Sequence, residues 1–202
     1  MDFLNDNEYL SITSNKAKYR IVCLHGWGAD AEDLIGLGKE IISLYNKPLE
    51  IISLRAPSLR DQNMGRQWYK LFPSDWNEAK NSVDNLIVRL NSLSKEQFKL
   101  EDTFLLGFSQ GGAMAITAGY KLPLAGIITC SGYPHPNWIP DKNPIPLLIT
   151  HGKYDDVVPL KAFYKLCNLV ENENTHKHIF DGSHEIDKST IYKIIEFLKI
   201  NT

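Results

Sequence analysis

Five consecutive residues, Gly107-Phe108-Ser109-Gln110-Gly111, fit the pattern G-x-S-x-G. Glycines two residues either side of a serine suit a sharp turn from strand to helix, which lifts the hydroxyl to the end of a sheet. The surroundings supply that setting. An apolar run, Thr103–Phe108, leads in, and the small residues Gly111, Gly112, Ala113, Ala115 and Ala118 lead out. Only small neighbours let strand and helix approach around so tight a bend, and the serine takes a strained backbone beside the helix amino terminus, where negative charge is favoured. The chemistry this predicts is nucleophilic attack by Ser109.

A serine hydroxyl is a weak nucleophile at neutral pH and needs a base, itself oriented by a carboxylate. After a strand–turn–helix serine the order should be acid, then histidine, each on a loop after a later strand. Among the downstream histidines, His176 and His178 fall inside a predicted strand, His151 ends another, and His135 precedes any suitable acid. His184, in Asp181-Gly182-Ser183-His184 between the last strand and the last helix, satisfies both order and element and is the expected base. Two aspartates, Asp155 and Asp156, follow the strand before it, and spacing does not separate them. Asp181 is too close to His184 to orient it.

Attack on a carbonyl creates an oxyanion, which backbone N–H groups commonly hold. The expected donors are the amide after the nucleophile, that of Gln110, and one from Leu24-His25-Gly26-Trp27-Gly28, a loop whose glycines let its backbone approach a ligand. A phosphate cradle is the rival for such a loop, but neither G-x-x-x-x-G-K-[ST] nor G-x-G-x-x-G occurs there. His25 is read as a structural brace of this loop.

These groups need a scaffold. Strands are expected over Tyr19–Leu24, Leu49–Leu54, Thr103–Phe108, Ala125–Cys130, Pro146–Thr150 and His176–Phe180, several of them continuous apolar runs of the kind a parallel strand covered on both faces requires. Helices are expected over Ala31–Tyr45, Asn77–Ser94, Gly111–Lys121, Pro159–Asn172 and Glu185–Leu198; in the second, Val83, Leu86, Ile87, Leu90 and Leu93 form one stripe. The alternation argues for an α/β fold with a mostly parallel central sheet and helices on both faces. Glu8–Thr13 suits an antiparallel edge strand. Two long connections, Ala56–Trp76 and Gly132–Pro144, fall where ligands bind in open parallel sheets.

The 202 residues suit one domain spanning 1–202, with no repeat or linker to divide them. The formal net charge of -2 offers no basic stripe for nucleic acid. Apolar runs are far shorter than the roughly 20 residues that span a bilayer, and the acidic start lacks the features of a secretory signal. The three cysteines, Cys23, Cys130 and Cys167, form neither a disulfide framework nor a zinc pattern, so free thiols in a cytoplasmic protein are expected.

The chain resembles the phospholipase/carboxylesterase family of α/β-hydrolases, which includes the acyl-protein thioesterases. The resemblance covers roughly Arg20 to Lys199 and rests on LHGWG (Leu24–Gly28), RAP (Arg55–Pro57), RQWY (Arg66–Tyr69), GFSQGGAMA (Gly107–Ala115), SGY (Ser131–Tyr133), HGKYDDVVP (His151–Pro159) and GSHEI (Gly182–Ile186). It implies Ser109 as nucleophile, His184 as base, Asp155 rather than Asp156 as acid, and the main-chain amides of Trp27 and Gln110 as oxyanion donors. It implies no large cap domain, and an open acyl groove for which Trp27, Trp68, Tyr69, Tyr133 and Val157 are the expected lining. Asp156 stands where a proline is common in the family.

The function expected is therefore hydrolysis of a carboxylic ester or thioester through an acyl-enzyme, on a small ester, a lipid or an acylated protein, with no metal or organic cofactor. Homodimers are compatible with the resemblance, although no interface patch is legible. Transfer of the acyl group to an acceptor other than water, and ligand binding without catalysis, are the alternatives.

Overall fold

A computed structural model describes residues 8–14, 16–60, 65–94, 98–141, 145–170 and 172–202. The remainder of the Ala56–Trp76 and Gly132–Pro144 connections, and residue 171 of the expected fourth helix, lie outside these described residues. In chain order the elements are β1 (Tyr9–Ile12), β2 (Tyr19–Leu24), α1 (Ala31–Tyr45), β3 (Leu49–Leu54), β4 (Ser58–Leu59), β5 (Arg66–Gln67), α2 (Trp76–Leu93), β6 (Thr103–Phe108), α3 (Gln110–Gly119), β7 (Gly126–Cys130), β8 (Leu147–Gly152), α4 (Lys161–Leu169), β9 (Thr175–Phe180) and α5 (Lys188–Ile200).

Seven strands form one sheet in the order β1-β3-β2-β6-β7-β8-β9. The edge strand β1 runs antiparallel to β3, Leu10 opposite Ser53, and the other pairs are parallel, with Val22 opposite Leu105 and Leu106 opposite Ile128. Successive side chains go to opposite faces, and both faces are apolar. Val22, Leu24, Leu105, Ile127 and Ile149 pack with α2, α3 and α4. Ile21, Cys23, Phe104, Leu106, Ile128 and Cys130 pack with Leu34 and Ile41 of α1 and Ile194, Phe197 and Leu198 of α5. Two covered faces explain why the central strands read as largely hydrophobic runs. Cys23, Cys130 and Cys167 are buried and in no disulfide, and burial pushes the first two thiols up to about 12.

Side-chain caps set the helix starts that bear on the site. Asp30 caps α1 in a reciprocal box with Asp33. Asp187 accepts from the Thr190 amide at 2.8 Å, so α5 begins at Lys188, three residues later than its apolar pattern suggests, and His184 is left on a loop. The short hairpin of β4 and β5, with Ser58 opposite Gln67, was not expected from sequence. Among the described residues no helix is long and apolar enough to cross a membrane.

Candidate active site

Between β6 and α3 the chain turns through Ser109, at φ 55° and ψ -118°. Such a backbone costs about 1–3 kcal/mol at a non-glycine residue and persists only where the surroundings force it. Here they do. The Ser109 amide donates to Cys130 O at 2.9 Å. A Cβ on Gly107 would lie 2.1 Å from Gly111 O, and one on Gly111 2.0 Å from Leu24 O, so strand, helix and the end of β2 meet backbone to backbone. Gln110 is fully buried; its Oε1 accepts from the Trp68 amide at 3.0 Å and its Nε2 donates to Tyr69 O at 2.8 Å, tying the elbow to the β5–α2 connection.

The loop after β2 is braced as strongly. His25 is fully buried, its Nδ1 2.8 Å from Gly26 O and its Nε2 3.0 Å from the Ala56 amide. A carbonyl only accepts and an amide N–H only donates, so Nδ1 carries the proton and the ring is neutral. Burial, the largest effect, pushes its pKa down. The structural role expected of His25 is what its partners describe. Trp68 Nε1 donates to His25 O at 2.8 Å, and the Gly28 amide donates to Arg66 O at 2.8 Å. Gly28 sits at φ 81°, where a side chain is disfavoured. Neither the Trp27 nor the Gln110 amide N–H has a hydrogen-bond acceptor among the described residues.

Two loops at the far end of the sheet meet at an acid and an imidazole. His184 Nδ1 lies 2.8 Å from Asp155 Oδ2. A carboxylate only accepts, so Nδ1 carries a proton, and Nε2 is the ring nitrogen turned away from the acid. The other oxygen, Oδ1, accepts from the Val157 and Val158 amides at 3.0 and 2.8 Å. Burial by itself would raise the Asp155 carboxyl, but the hydrogen bonds from His184 and Val158 outweigh it and hold the group below the usual carboxylate range. Asp156 is exposed. The loops are also zipped by backbone: Lys153 N donates to Phe180 O at 2.8 Å and Tyr154 N to Gly182 O at 2.9 Å, and a Cβ on Gly152 would meet Ser183 O at 1.9 Å.

Ser109 and His184 line one cavity of about 890 Å³, together with Trp27, Tyr133 and Val157. Trp68 and Tyr69 do not line it. They are 1% and 0% exposed and stand behind the wall, because each is drawn inward by a buried polar partner: Trp68 by His25 O, Tyr69 by the Tyr133 hydroxyl at 2.8 Å and His135 Nε2 at 3.0 Å. Other apolar lining had no pointer in the sequence: Leu34 and Leu37 from α1, Phe72, and Ile186 and Ile191 around the start of α5. Their spacing reads as ordinary core, and only the sheet topology, which brings α1 beside α5, sets them around one space. Phe72 is 70% exposed and edges against Trp27, with ring centroids 5.2 Å apart. Among the described residues no group of three or more His, Cys, Asp or Glu side chains converges as a metal site.

The sequence profile of the phospholipase/carboxylesterase family matches residues 5–202. This chain belongs to that family. Relatives of this phospholipase/carboxylesterase family member include acyl-protein thioesterase 1 of Saccharomyces cerevisiae, 28% identical over 156 residues, which are 65% of this chain and 67% of the yeast protein. Acyl-protein thioesterase 1 homolog 2 of Dictyostelium discoideum is 30% identical over 150 residues, 67% of this chain and 66% of that protein. The matches thus span about two thirds of each thioesterase's own length. Among solved structures, esterase PE8 superposes with a TM-score of 0.86 at 27% identity, covering 96% of this chain and 99% of that one. The α/β-hydrolase fold is common to this member of the phospholipase/carboxylesterase family and that esterase, and the described residues form no large cap.

Proposed function

We propose that this protein hydrolyses carboxylic esters or thioesters through an acyl-enzyme on Ser109. The observation that carries the reading is the 2.8 Å contact of His184 Nδ1 with Asp155, in a cavity that His184 shares with Ser109. With its proton held on Nδ1, His184 offers a bare Nε2. That atom takes the Ser109 proton as Oγ bonds to the carbonyl carbon, and the carbonyl π electrons move onto oxygen. The Trp27 and Gln110 amides, without an acceptor among the described residues, hold that oxyanion; each such donor is worth about 3–4 kcal/mol of barrier. Collapse expels the alcohol or thiol, protonated by His184. Water then attacks the acyl-enzyme, His184 taking its proton, and the carboxylic acid leaves.

The apolar side chains of Leu34, Leu37, Phe72, Ile186 and Ile191 suit a hydrocarbon acyl chain. The likeness to acyl-protein thioesterases of yeast and Dictyostelium favours a thioester-linked acyl group on a protein as one substrate. The deciding experiment is Ser109→Ala assayed on p-nitrophenyl esters and on an S-acyl peptide, with a fluorophosphonate probe on the unaltered protein. Loss of both hydrolyses in the variant with an unchanged unfolding midpoint, and labelling at Ser109, is the expected result. Hydrolysis at the unaltered rate by Ser109→Ala rejects the proposal.

A further inference from the structure

A second histidine bears on the acid. His151, at the end of β8, is fully buried, with its ring edge-on to Phe163 at a centroid distance of 6.1 Å. Its Nε2 lies 2.7 Å from Val158 O and 3.5 Å from Asp155 Oδ2. Both oxygens only accept, so Nε2 carries a proton. Nδ1 is buried with no hydrogen-bond partner among the described residues. A second proton there would have nowhere to go, so the ring is the neutral Nε2–H tautomer. Its pKa is pushed down chiefly by burial, with the nearby His184 acting in the same direction and the Val158 contact and Asp155 opposing.

An unpartnered buried ring nitrogen is unfavourable, and an apolar side chain of similar shape would pack on Phe163 without it. The position therefore makes sense through what Nε2–H does. Val158 O is the carbonyl of the same residue whose amide donates to Asp155 Oδ1, so His151 fixes the turn that holds one carboxylate oxygen while leaning on the other. Resting on the reading of Ser109, Asp155 and His184 given above, we infer that His151 is a positioning residue for Asp155: its Nε2–H clamps the Val158 turn and steadies the carboxylate oxygen that orients His184. It does so uncharged, leaving His184 as the imidazole that takes up the reacting proton.

The test compares His151→Leu with His151→Gln, whose amide can restore an N–H donor, alongside Ser109→Ala, on one p-nitrophenyl ester. The Leu variant should lose about tenfold or more in kcat with KM within roughly twofold, because the groups are misplaced and not the acyl site. The Gln variant should recover most of that loss. Unchanged kcat in the Leu variant overturns the inference, and so does a Gln variant as slow as Leu whose loss merely follows its unfolding midpoint. Should neither variant fold, long-range ¹H–¹⁵N spectra of the unaltered protein decide: His151 must appear at neutral pH as a neutral ring protonated on Nε2, and an Nδ1–H or doubly protonated ring overturns the inference. Full activity in Ser109→Ala rejects the proposed function instead and leaves the tautomer result standing by itself.

Discussion

Asp155 receives His184 Nδ1 on one carboxylate oxygen and two backbone amides on the other, although 29 positions separate the two residues. Its neighbour Asp156 faces solvent. The adjacent aspartates thus differ in everything but sequence position.

That difference predicts unequal variants. Asp155→Asn should lower kcat by roughly 10³–10⁴-fold, since an amide no longer enforces the His184 tautomer. Asp156→Asn should stay within about twofold of the unaltered protein in the same ester assay. If the second variant is the crippled one, the acid has been misassigned.

The elbow makes a separate prediction about glycine. Gly111→Ala puts a methyl group 2.0 Å from the Leu24 carbonyl, which belongs to the rigid end of β2. Hydrolysis should fall by at least about a hundredfold and stability by about 1–3 kcal/mol or more. Gly36, on α1, has nothing within 4 Å of the place a methyl group would take, so Gly36→Ala should leave activity alone and add roughly 0.5–1 kcal/mol through helix propensity. Urea unfolding of both variants checks the pair.

On the proposed function, the cavity wall sets acyl length. Leu37→Trp, on the face of α1 that lines the space, should fill part of it. Across p-nitrophenyl esters of increasing length, kcat/KM for the dodecanoate should drop about tenfold or more while the acetate changes by no more than about threefold, at roughly 1–3 kcal/mol per excluded methylene. Equal losses on both esters would place the acyl chain elsewhere.

How far these features were legible in sequence follows from the range of the forces involved. Strands such as Tyr19–Leu24, Leu49–Leu54 and Thr103–Phe108 announce themselves because burial on both faces demands largely apolar runs, the charges of Arg20 and Glu50 being paired with each other at 2.7 Å. The elbow was legible because only glycine fits at 107 and 111. Asp155 could not be told from Asp156 by spacing, because the choice is made by the turn in which the Val157 and Val158 amides close on one side chain. Trp68 and Tyr69 look like groove aromatics until their polar atoms are traced to His25 O, Tyr133 and His135. The β4–β5 hairpin, two residues a side, is too short for any periodicity to show.

His135 connects stability to pH. It is largely buried and accepts from Tyr69, which in turn accepts from Tyr133 at the cavity wall. The direction follows from the far end, where Thr117 Oγ1 donates to Ala113 O at 2.8 Å and so must accept from His135 Nδ1–H at 3.3 Å. Nε2 is then bare and takes the Tyr69 proton at 3.0 Å. Burial lowers the His135 pKa from 6.5 to about 4. The unfolded chain, with its histidine near the ordinary value, binds the proton more readily than the folded one, so stability is complete above about pH 6.5 and declines as pH falls toward 4. The drop attributable to this ring is on the order of 3 kcal/mol. His135→Gln removes the titration while leaving a side chain able to donate and accept. Urea unfolding at about pH 7 and about pH 4.5 should show a clearly shallower loss in the variant, the slope that remains coming from the other groups with lowered pKa values, among them His25, His151, His178, Asp155 and Asp187. Parallel slopes for the two proteins would mean that His135 takes up its proton as easily in the fold as out of it, which a ring boxed in by Tyr69, Trp76 and Thr117 should not do.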